Sequence, residues 1–343
     1  MELHRTEPAD LDAVANLLVS VFDLPPDDLL VNRGVLEWKY FAPGPQWDGS
    51  RSYILRKAEK TFAHCAVWPL NLHFAGREVT CICYIDWAGL SALPGAGFML
   101  KKKLMKLSQT SIVVGGSEET REIVPKLGFA HIGDVELFAR VVRPWKQSRS
   151  RPPEPLPKRA ARLARNTLWS MKSGVTVARD WSARQVTSFS PDFDFNYKFS
   201  SPTPWRDADY LNFWLRCPAA EVTGYELLRN GNCLGYFLVS QVGNQTRIAD
   251  IRVNSENPND WKAGYALAAQ TAARDAETCE IVTAASTPLA VESLKACGFR
   301  ARGGMPFFLY DPQKLLTDHL PIFWNLIEGD AAFLFDPAYP FVT

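Results

Sequence analysis

The sequence predicts an α/β (α+β) protein that contains two copies of one fold. The chain has 343 residues, and at roughly 150 residues per domain this length favours two domains. Apolar residues make up 47% and charged residues 22% of the chain, which excludes a disordered chain and a small disulfide-stapled scaffold. The third observation is a series of landmarks that recurs along the chain and indicates a duplication.

These landmarks recur in the same order at offsets of 169 to 176 residues. The pairs are Trp38 with Trp214, Tyr53–Arg56 with Tyr225–Arg229, Gly95 and Gly97 with Gly264 and Ala266, and Gly128-Phe129 with Gly298-Phe299. Common order and near-equal spacing indicate that the two halves fold alike. We therefore expect an N-terminal domain at 1–142, a linker at 143–174 and a C-terminal domain at 175–343.

Hydrophobic periodicity predicts the elements of the first half. Asp10 is expected to cap a helix, Trp38 to lie in a second helical stretch, and Ser117 to cap a later helix. A further helix at Phe98–Met105 follows a glycine-containing turn. The predicted strands lie at about 3–6, 52–57, 61–69, 70–75, 79–89, 111–114 and 135–142.

The linker is strongly basic. Residues 143–172 carry nine Lys or Arg against the single acid Glu154, a net charge of +8. Five prolines between 144 and 157 exclude a regular helix or a central strand there. Beyond Pro157 the spacing predicts a short helix whose apolar face is opposite its arginines; that face holds Ala160, Leu163, Ala164, Leu168 and Met171, and the arginines are Arg159, Arg162 and Arg165. The helix either docks on a domain or contacts an anionic partner or membrane surface, and the lack of interleaved aromatic residues argues against nucleic acid.

The second half repeats the order of the first. Strands are predicted near 223–229, 233–242, 245–253 and 280–284, with a helix from about Trp261 to Ala276. Thr287 followed by Pro288 is typical of a helix N-cap and the first helical position. The aromatic segment from Phe323 to Phe341 is expected to dock on the second domain or on its interface with the first.

The turn between the strand ending near Trp87 and the helix that follows is a candidate anion site. A helix entered through Gly95-Ala96-Gly97 presents unpaired N–H groups and a partial positive charge, which suits a pyrophosphate. Lys101, Lys102 and Lys103 are expected to add positive charge nearby. The residues predicted to contact a cofactor are Leu93, Gly95, Ala96, Gly97, Phe98 and Met99, with Gly264 and Ala266 in the second copy. The alternative is a tight turn without a ligand.

This arrangement resembles the GNAT acyltransferase superfamily over most of residues 1–142 and more faintly over 175–312. The family's Arg/Gln-x-x-Gly-x-Gly/Ala loop is matched by Ala92–Gly97 except at its first residue, and Lys126–Phe129 matches the end of a later helix. The resemblance implies that each domain is a mixed, mostly antiparallel sheet flanked by helices. It also implies an N-acyltransferase that uses acetyl-CoA or another acyl-CoA as co-substrate. A small-molecule or peptide amine would then bind near the interdomain cleft.

Two departures from the family bear on catalysis. Val124 and Leu294 stand where the family often has a tyrosine that protonates the departing thiolate. The family's general base is usually a carboxylate on the fourth strand, where this sequence has Asp86 and, in the second copy, Asp250. Burial in an apolar run is expected to raise the pKa of Asp86. The predicted catalytic residues are Asp86 and Tyr84, while the alternative for Asp86 is a structural carboxylate bonded to a neighbouring hydroxyl or backbone donor.

Two other functions stay open at this stage. The Fem aminoacyl transferases also pair two such folds but use aminoacyl-tRNA and usually carry a coiled-coil arm, for which this sequence has no heptad run. A catalytically inactive binding protein is the other alternative, because the tyrosine is absent from both halves.

The composition also predicts where the protein resides. Seven cysteines lie mostly in apolar runs, which is typical of buried thiols in a reducing compartment. No apolar run reaches the roughly 18 residues of a spanning helix. We therefore expect a cytoplasmic protein without a membrane span. No metal is predicted, since no cysteine or histidine pair has the spacing of a structural zinc site.

Overall fold

The architecture comes from a computed structural model that describes residues 1–44, 46–58, 60–171, 176–192 and 199–343. The elements of the first half are β1 (Glu2–Arg5), α1 (Leu11–Phe22), α2 (Arg33–Tyr40), β2 (Ser52–Lys57), β3 (Lys60–Phe74), β4 (Arg77–Gly89), α3 (Ala96–Leu104), β5 (Thr110–Val114), α4 (Glu118–Lys126) and β6 (Ala130–Val141). Next come α5 (Pro144–Arg149), α6 (Leu156–Met171), β7 (Trp181–Val186), β8 (Thr203–Pro204), α7 (Ala208–Leu215), β9 (Glu221–Arg229), β10 (Asn232–Val242) and β11 (Gln245–Val253). The last are α8 (Pro258–Ala272), β12 (Glu280–Ala285), α9 (Pro288–Ala296) and β13 (Arg300–Tyr310).

The strands of the described residues form one mixed sheet. Its order is β1-β2-β3-β4-β5-β13-β6-β12-β11-β10-β9-β7, and β8 pairs with β3. Only β4 with β5 and β11 with β12 pair in parallel, and the other neighbours are antiparallel. The predicted fold class, a mixed and mostly antiparallel sheet flanked by helices, is confirmed.

The two halves exchange their last strands. β13 lies between β5 and β6, so β5 pairs with a strand of the second half, while β6 pairs with β12. The sheet is therefore continuous across the predicted boundary, and the division at 142, 174 and 175 stays a prediction. Val175 and linker residues 172–174 lie outside the described residues.

One of the landmark pairs, Trp38 and Trp214, meets in a core shared by the two halves. Trp38 in α2 and Trp214 in α7 are in edge-to-face contact, with ring centroids 5.3 Å apart, and Trp38 stacks on Phe213 at 4.7 Å. Both tryptophans belong to one core cluster that draws residues from the two halves. Offset and edge-to-face aromatic pairs of this kind add stability beyond the area they bury. The duplicated helices thus pack on each other.

Two predicted strands in the first half, at 61–69 and 70–75, are one strand, β3. Pro69 does not interrupt it because the amide of Val67, two residues earlier, donates to Arg51 on the side away from β4. The nitrogen of Pro69 therefore points to the β2 side of β3. The pairing of β2 with β3 ends at Ser52 and Ala66, so no β2 residue lies opposite Pro69. Proline is tolerated at such edge positions because no ladder hydrogen bond is lost.

The first part of the linker differs from the prediction. Pro144–Arg149 is helical, because Pro144 occupies the first helical position, where its missing N–H costs nothing. The predicted basic helix is present as α6, in which Arg162 and Asn166 face the protein, while Leu168 and Met171 of the predicted apolar face are exposed. Lys172 lies outside the described residues.

The aromatic C-terminal segment docks across both halves. Phe323, Trp324, Phe333 and Phe341 are buried, and Trp324 packs on Phe307 of β13 with ring centroids 5.2 Å apart. Phe335 and Tyr339 stay exposed, contrary to the expectation for the whole segment. We call residues 323–334 the tail segment. It contributes to the two places where parallel strands separate, between β4 and β5 and between β11 and β12.

Candidate functional site

The sheet opens between β4 and β5. These parallel strands pair only at Cys81–Cys83 with Thr110–Ile112, and β4 continues to Gly89 without β5. A cavity of about 340 Å³ lies in this opening. Its walls come from β4 (83–86), the end of β5 (Val114), β13 (Met305), α1 and the segment after it (Phe22, Leu30), and the tail segment (324–326, 329–331 and 334). We call it the gap cavity, and both halves line it.

A β-bulge in β4 sets the direction of Asp86. His64 pairs with Ala88 and Ala66 with Ile85, so two residues of β4 stand opposite one residue of β3. Asp86 adopts φ 51°, a left-handed conformation that side chains other than glycine seldom adopt. The bulge places Asp86 on the same face as Ile85, toward α2 rather than α3.

Asp86 is held in a buried cluster. Lys39 Nζ lies 2.6 Å from Asp86 Oδ2 and 3.0 Å from Asp330 Oδ2, and the Tyr40 hydroxyl donates to Asp86 Oδ2 at 2.6 Å. His64 Nδ1 lies 2.9 Å from the Asp86 carbonyl oxygen. The sequence-based alternative for Asp86 is a structural carboxylate bonded to a neighbouring hydroxyl. The Tyr40 hydroxyl is such a partner, and Lys39 is an additional one.

The two carboxyl groups of this cluster titrate differently. Burial raises the pKa of Asp86, but Lys39, His64 and the Tyr40 hydroxyl together outweigh burial and leave the pKa lowered. The expected rise in the pKa of Asp86 was therefore wrong. For Asp330, burial and the negative charge of Asp86 outweigh Lys39 and raise the pKa to about 7. Asp330 lines the gap cavity, and its Oδ1 has no hydrogen-bond partner among the described residues.

Tyr84 is on the other side of β4. Its hydroxyl donates to Ser111 Oγ at 3.1 Å, its ring packs with the core between the sheet and α3, and burial raises its pKa. Tyr84 also lines the gap cavity. The structure thus brings Tyr84 and Asp86 to one opening but turns their side chains to opposite faces.

The glycine turn has the predicted form at the start of α3. Gly95 is the N-cap at φ 85°, and α3 begins at Ala96. The amide of Ala96 donates to Leu93 O and that of Met99 to Gly95 O, whereas the amides of Gly97 and Phe98 have no acceptor among the described residues. These two N–H groups are free to bind an anion.

Close packing also explains one glycine of this turn. A Cβ on Gly97 would lie 3.2 Å from Trp87 Nε1, and a Cβ on Gly89 would lie 3.0 Å from the Gly97 nitrogen. Trp87 Nε1 donates to the Gly97 carbonyl oxygen at 2.9 Å. The glycines at 89 and 97 therefore let β4 and α3 approach each other at the opening.

The three lysines of α3 do not act alike. Lys102 and Lys103 are exposed, but Lys101 is fully buried over the rings of Trp87, Tyr84 and Phe129, at 3.9, 4.5 and 5.4 Å from their centroids. Burial lowers the pKa of Lys101 to about 8. All three lysines lie in or near the first turns of α3 as predicted, but Lys101 is enclosed by cation–π contacts.

The sheet opens a second time between β11 and β12, which pair in parallel only at Gln245–Arg247 with Glu280–Val282. A bulge precedes Asp250, and the Tyr236 hydroxyl donates to Asp250 Oδ2 at 2.7 Å. Arg206 donates to Asp250 at 2.9 Å and to Glu328 of the tail segment. Burial raises the pKa of Glu328 to about 7, with Arg206 opposing it and Asp250 adding to it.

The tail segment occupies this second opening. Asn325 donates its side-chain amide to Asp250 Oδ1, and its backbone amide donates to Glu328. Asn325 and Glu328 are both at most 1% exposed. The carboxylates of Asp250 and Glu328 thus bond to the protein itself, whereas Asn325 Oδ1 and the Nε and Nη1 atoms of Arg252 have no hydrogen-bond partner among the described residues.

Gly264 and Ala266 are not at a helix start. α8 begins at Pro258, so both residues lie in the helix interior, where their amides take part in helical hydrogen bonding. A Cβ on Gly264 would lie 2.9 Å from Val253 Cγ2. The expected anion turn of the second copy is therefore corrected: these residues pack α8 against β11.

Sequence reasoning missed Lys39, Tyr40, Arg206, Glu328 and Asp330. Asp330 carried a readable signal, since it is an acid within an aromatic segment expected to dock at the interface. The same argument that selected Asp86 applies to it. Arg206 and Lys39 carried none, because a single basic residue beside a helix does not reveal a buried carboxylate as its partner.

Comparison with known proteins identifies the class of fold and no closer relationship. No protein-family model and no curated protein matches the chain. Solved structures match its fold at low sequence identity and cover 90% of it. The resemblance to GNAT acyltransferases is confirmed at the level of the fold.

Three of these structures illustrate the likeness. A GCN5-related N-acetyltransferase from Anabaena variabilis has a TM-score of 0.57 and 10% identity, with 72% of its chain covered. Saccharomyces cerevisiae N-myristoyltransferase with bound myristoyl-CoA has a TM-score of 0.58 and 12% identity, with 82% covered. A conserved protein of unknown function from Enterococcus faecalis has a TM-score of 0.55 and 9% identity, with 72% covered.

Proposed function

We propose that the chain is an acyl-CoA-dependent N-acyltransferase whose cofactor enters the gap between β4 and β5. The observation that carries this proposal is the gap cavity, which lies where the parallel strands part and is lined by Asp330, a carboxyl group with a pKa of about 7. The likeness of the fold to acetyltransferases supports acyl transfer. Acetyl-CoA is the donor we propose, and a small-molecule or peptide amine is the acceptor.

The cofactor pyrophosphate would lie at the start of α3. The free amides of Gly97 and Phe98 and the positive end of the helix suit a doubly charged group. Leu93, Gly95, Ala96 and Met99 shape this turn and stay in the proposed site.

Asp330 is the group we propose as general base. A protonated amine cannot attack, so the acceptor must lose a proton to a group that is partly ionised near neutral pH. Asp330 takes one proton from the acceptor ammonium, and the free amine nitrogen then bonds to the thioester carbonyl carbon. The carbon–sulfur bond breaks, and the second nitrogen proton passes to the departing CoA thiolate. Asp86 stays ionised and positions Lys39 beside Asp330. Tyr84 stays in the proposed site because it lines the cavity.

No side chain replaces the family's tyrosine at its usual place. Val124 and Leu294 are fully buried and carry no ionisable proton. A thiolate is a fair leaving group, so the proposed reaction needs no acid at these positions.

The experiment combines calorimetric binding with product detection. Acetyl-CoA is titrated into the whole chain, and a panel of amines is screened by mass spectrometry for the acetylated product. Phe98→Glu places a carboxylate at the start of α3, where an acid is compatible with the helix but repels a pyrophosphate, and should weaken binding about tenfold or more. Leu107→Glu, an exposed position beyond α3, is the matched control and should bind normally.

An inactive binding protein is the second candidate. The absence of a hydroxyl at Val124 and Leu294 favours it, as does the salt bridge that holds Asp86. This candidate predicts that acetyl-CoA binds and that no amine yields a product. Absence of binding, or equal binding by Phe98→Glu and the parent chain, contradicts the transferase proposal.

A further inference from the structure

The solvent side of α6 is apolar, which is the reverse of a normal surface helix. Leu156, Leu168 and Met171 are 76%, 58% and 76% exposed. The other exposed residues of this side are Pro157, Ala160, Ala161 and Ala164, at spacings of three and four. In the preceding helix α5, Trp145 is 64% exposed. We call these eight residues the α5–α6 face.

The exposure of large apolar side chains is concentrated on this face. Among the described residues, the five most exposed large apolar side chains are those of Trp145, Leu156, Leu168, Met171 and Tyr339. The first four belong to the α5–α6 face. Single exposed apolar residues are ordinary, but a helix side on which they recur at spacings of three and four marks a contact surface.

The polar side of α6 fixes this orientation. Asn166 is buried and donates to Gln147 Oε1 of α5 at 2.8 Å, and Gln147 in turn donates to Glu280 of β12 at 3.3 Å. Arg162 bonds to Glu154, and the Arg165 guanidinium lies 4.5 Å from the centre of the Trp169 ring. Directional bonds therefore hold the polar side inward and leave the apolar side outward.

The segment that carries the face is basic, although Lys146 is paired with Glu277 at 2.6 Å. Residues 143–171 contain eight Lys or Arg and one acid, Glu154, whose charge is paired with Arg162. Arg149, Lys158 and Arg159 are exposed. An apolar helix side with a tryptophan nearby and basic side chains around it has the chemistry of a helix that lies in the interface of an anionic bilayer.

We propose that the α5–α6 face docks the protein on anionic phospholipid membranes. Leu156, Leu168, Met171 and Trp145 would enter the boundary between headgroups and acyl chains, while the basic side chains contact lipid phosphates. None of the described helices is long and apolar enough to cross a bilayer, so the contact is peripheral. This inference is independent of the proposed transferase activity.

A second copy of the chain fits this face less well. A symmetric dimer brings the same surface of each copy together and would set two strongly basic segments against each other. Nucleic acid would use the basic residues but leaves the apolar side in water. An anionic lipid surface satisfies both features at once.

The test is sedimentation of the full chain with lipid vesicles. One set contains phosphatidylcholine and phosphatidylserine, and the other contains phosphatidylcholine alone. The chain should sediment with the first set and not with the second, and added salt should release it. Leu168→Glu with Met171→Glu should abolish binding, and Lys158→Gln with Arg159→Gln should weaken it about twentyfold or more, at roughly fivefold for each charge.

Tyr339→Glu is the matched control, since Tyr339 is 80% exposed but lies outside the α5–α6 face. It should bind like the parent chain. All substituted positions are exposed, so folding should be retained, and circular dichroism checks this. Three outcomes overturn the proposal: no sedimentation with phosphatidylserine vesicles, equal binding by the double glutamate variant, or a dimer in light scattering that this variant dissociates.

Discussion

The two openings of the sheet have the same construction and different contents. In each opening, two parallel strands separate after three paired residues, and a carboxylate lies at or just after a β-bulge. A buried tyrosine hydroxyl donates to that carboxylate, and a lysine or arginine forms a salt bridge with it. At the first opening the tail segment contributes Asp330 and leaves a cavity of about 340 Å³. At the second opening it contributes Asn325 and Glu328, which bond to Asp250 and Arg206.

This difference shows that the tail segment gives the two openings different side chains. Glu328 and Asp330 are two residues apart and each faces a buried cation of a different half. Asp330 keeps an oxygen without a partner at a cavity, whereas Glu328 is enclosed. We therefore propose that the first opening binds ligand and reacts, and that the second holds the halves together.

The largest expected effect is that of Asp330→Asn. If Asp330 is the base, kcat should fall by about 100- to 10,000-fold, because the amide cannot accept the amine proton. The affinity for acetyl-CoA should be unchanged in calorimetry. Asp336→Asn, at an exposed position of the same region, is the control. Normal turnover by Asp330→Asn would remove the base from the account.

Arg206→Met should act on stability instead. It leaves Asp250 and Glu328 buried without their cation, and breaking a buried ion pair in this way costs about 3–5 kcal/mol. Urea denaturation should show this loss in the free energy of unfolding. Acetyl-CoA affinity should not change, and a loss of affinity greater than the loss of folded protein would indicate a ligand at the second opening.

The two tyrosines offer a matched pair. Tyr40→Phe and Tyr236→Phe each remove a hydroxyl that donates to a buried carboxylate, and each should lower the free energy of unfolding by about 1–3 kcal/mol. Only Tyr40→Phe should also change kcat. Equal kinetic effects of the two substitutions would mean that the openings are equivalent.

The last prediction concerns the pH dependence of kcat. The raised pKa of Asp330, about 7, means that its basic form is lost as the pH falls below 7, so the rate should drop by about tenfold per pH unit there. Glu328→Gln should leave this profile in place, since Glu328 belongs to the second opening. A profile that is flat from pH 5 to 8, or that changes in Glu328→Gln, contradicts this assignment.

Local sequence patterns predicted most helices and strands, while the candidate site depends on contacts between residues far apart in the chain. Period and capping located β2, β11 and the cap of α4 at Ser117, whose hydroxyl accepts from Thr120 N. The same reasoning divided β3 into two strands after Pro69, but the strand is continuous because the proline lies at an unpaired edge.

The chemistry of the site depends on contacts between residues far apart in the chain. Lys39 and Asp330 are 291 positions apart, and no local pattern connects them. Burial alone predicted a raised pKa for Asp86, whereas Lys39, His64 and Tyr40 together lower it. Similarly, the repeat spacing equated Gly264 with Gly95. Gly95 is the N-cap of α3, whereas α8 already begins at Pro258, so Gly264 lies inside its helix.

A crystal structure of the chain grown with acetyl-CoA tests the central claim most directly, because it reports both openings in one molecule. The account predicts density for one cofactor in each chain, with its pyrophosphate on the amides of Gly97 and Phe98 and its thioester in the gap cavity beside Asp330. Density between β11 and β12, or a first opening without ligand at saturating acetyl-CoA, would contradict it.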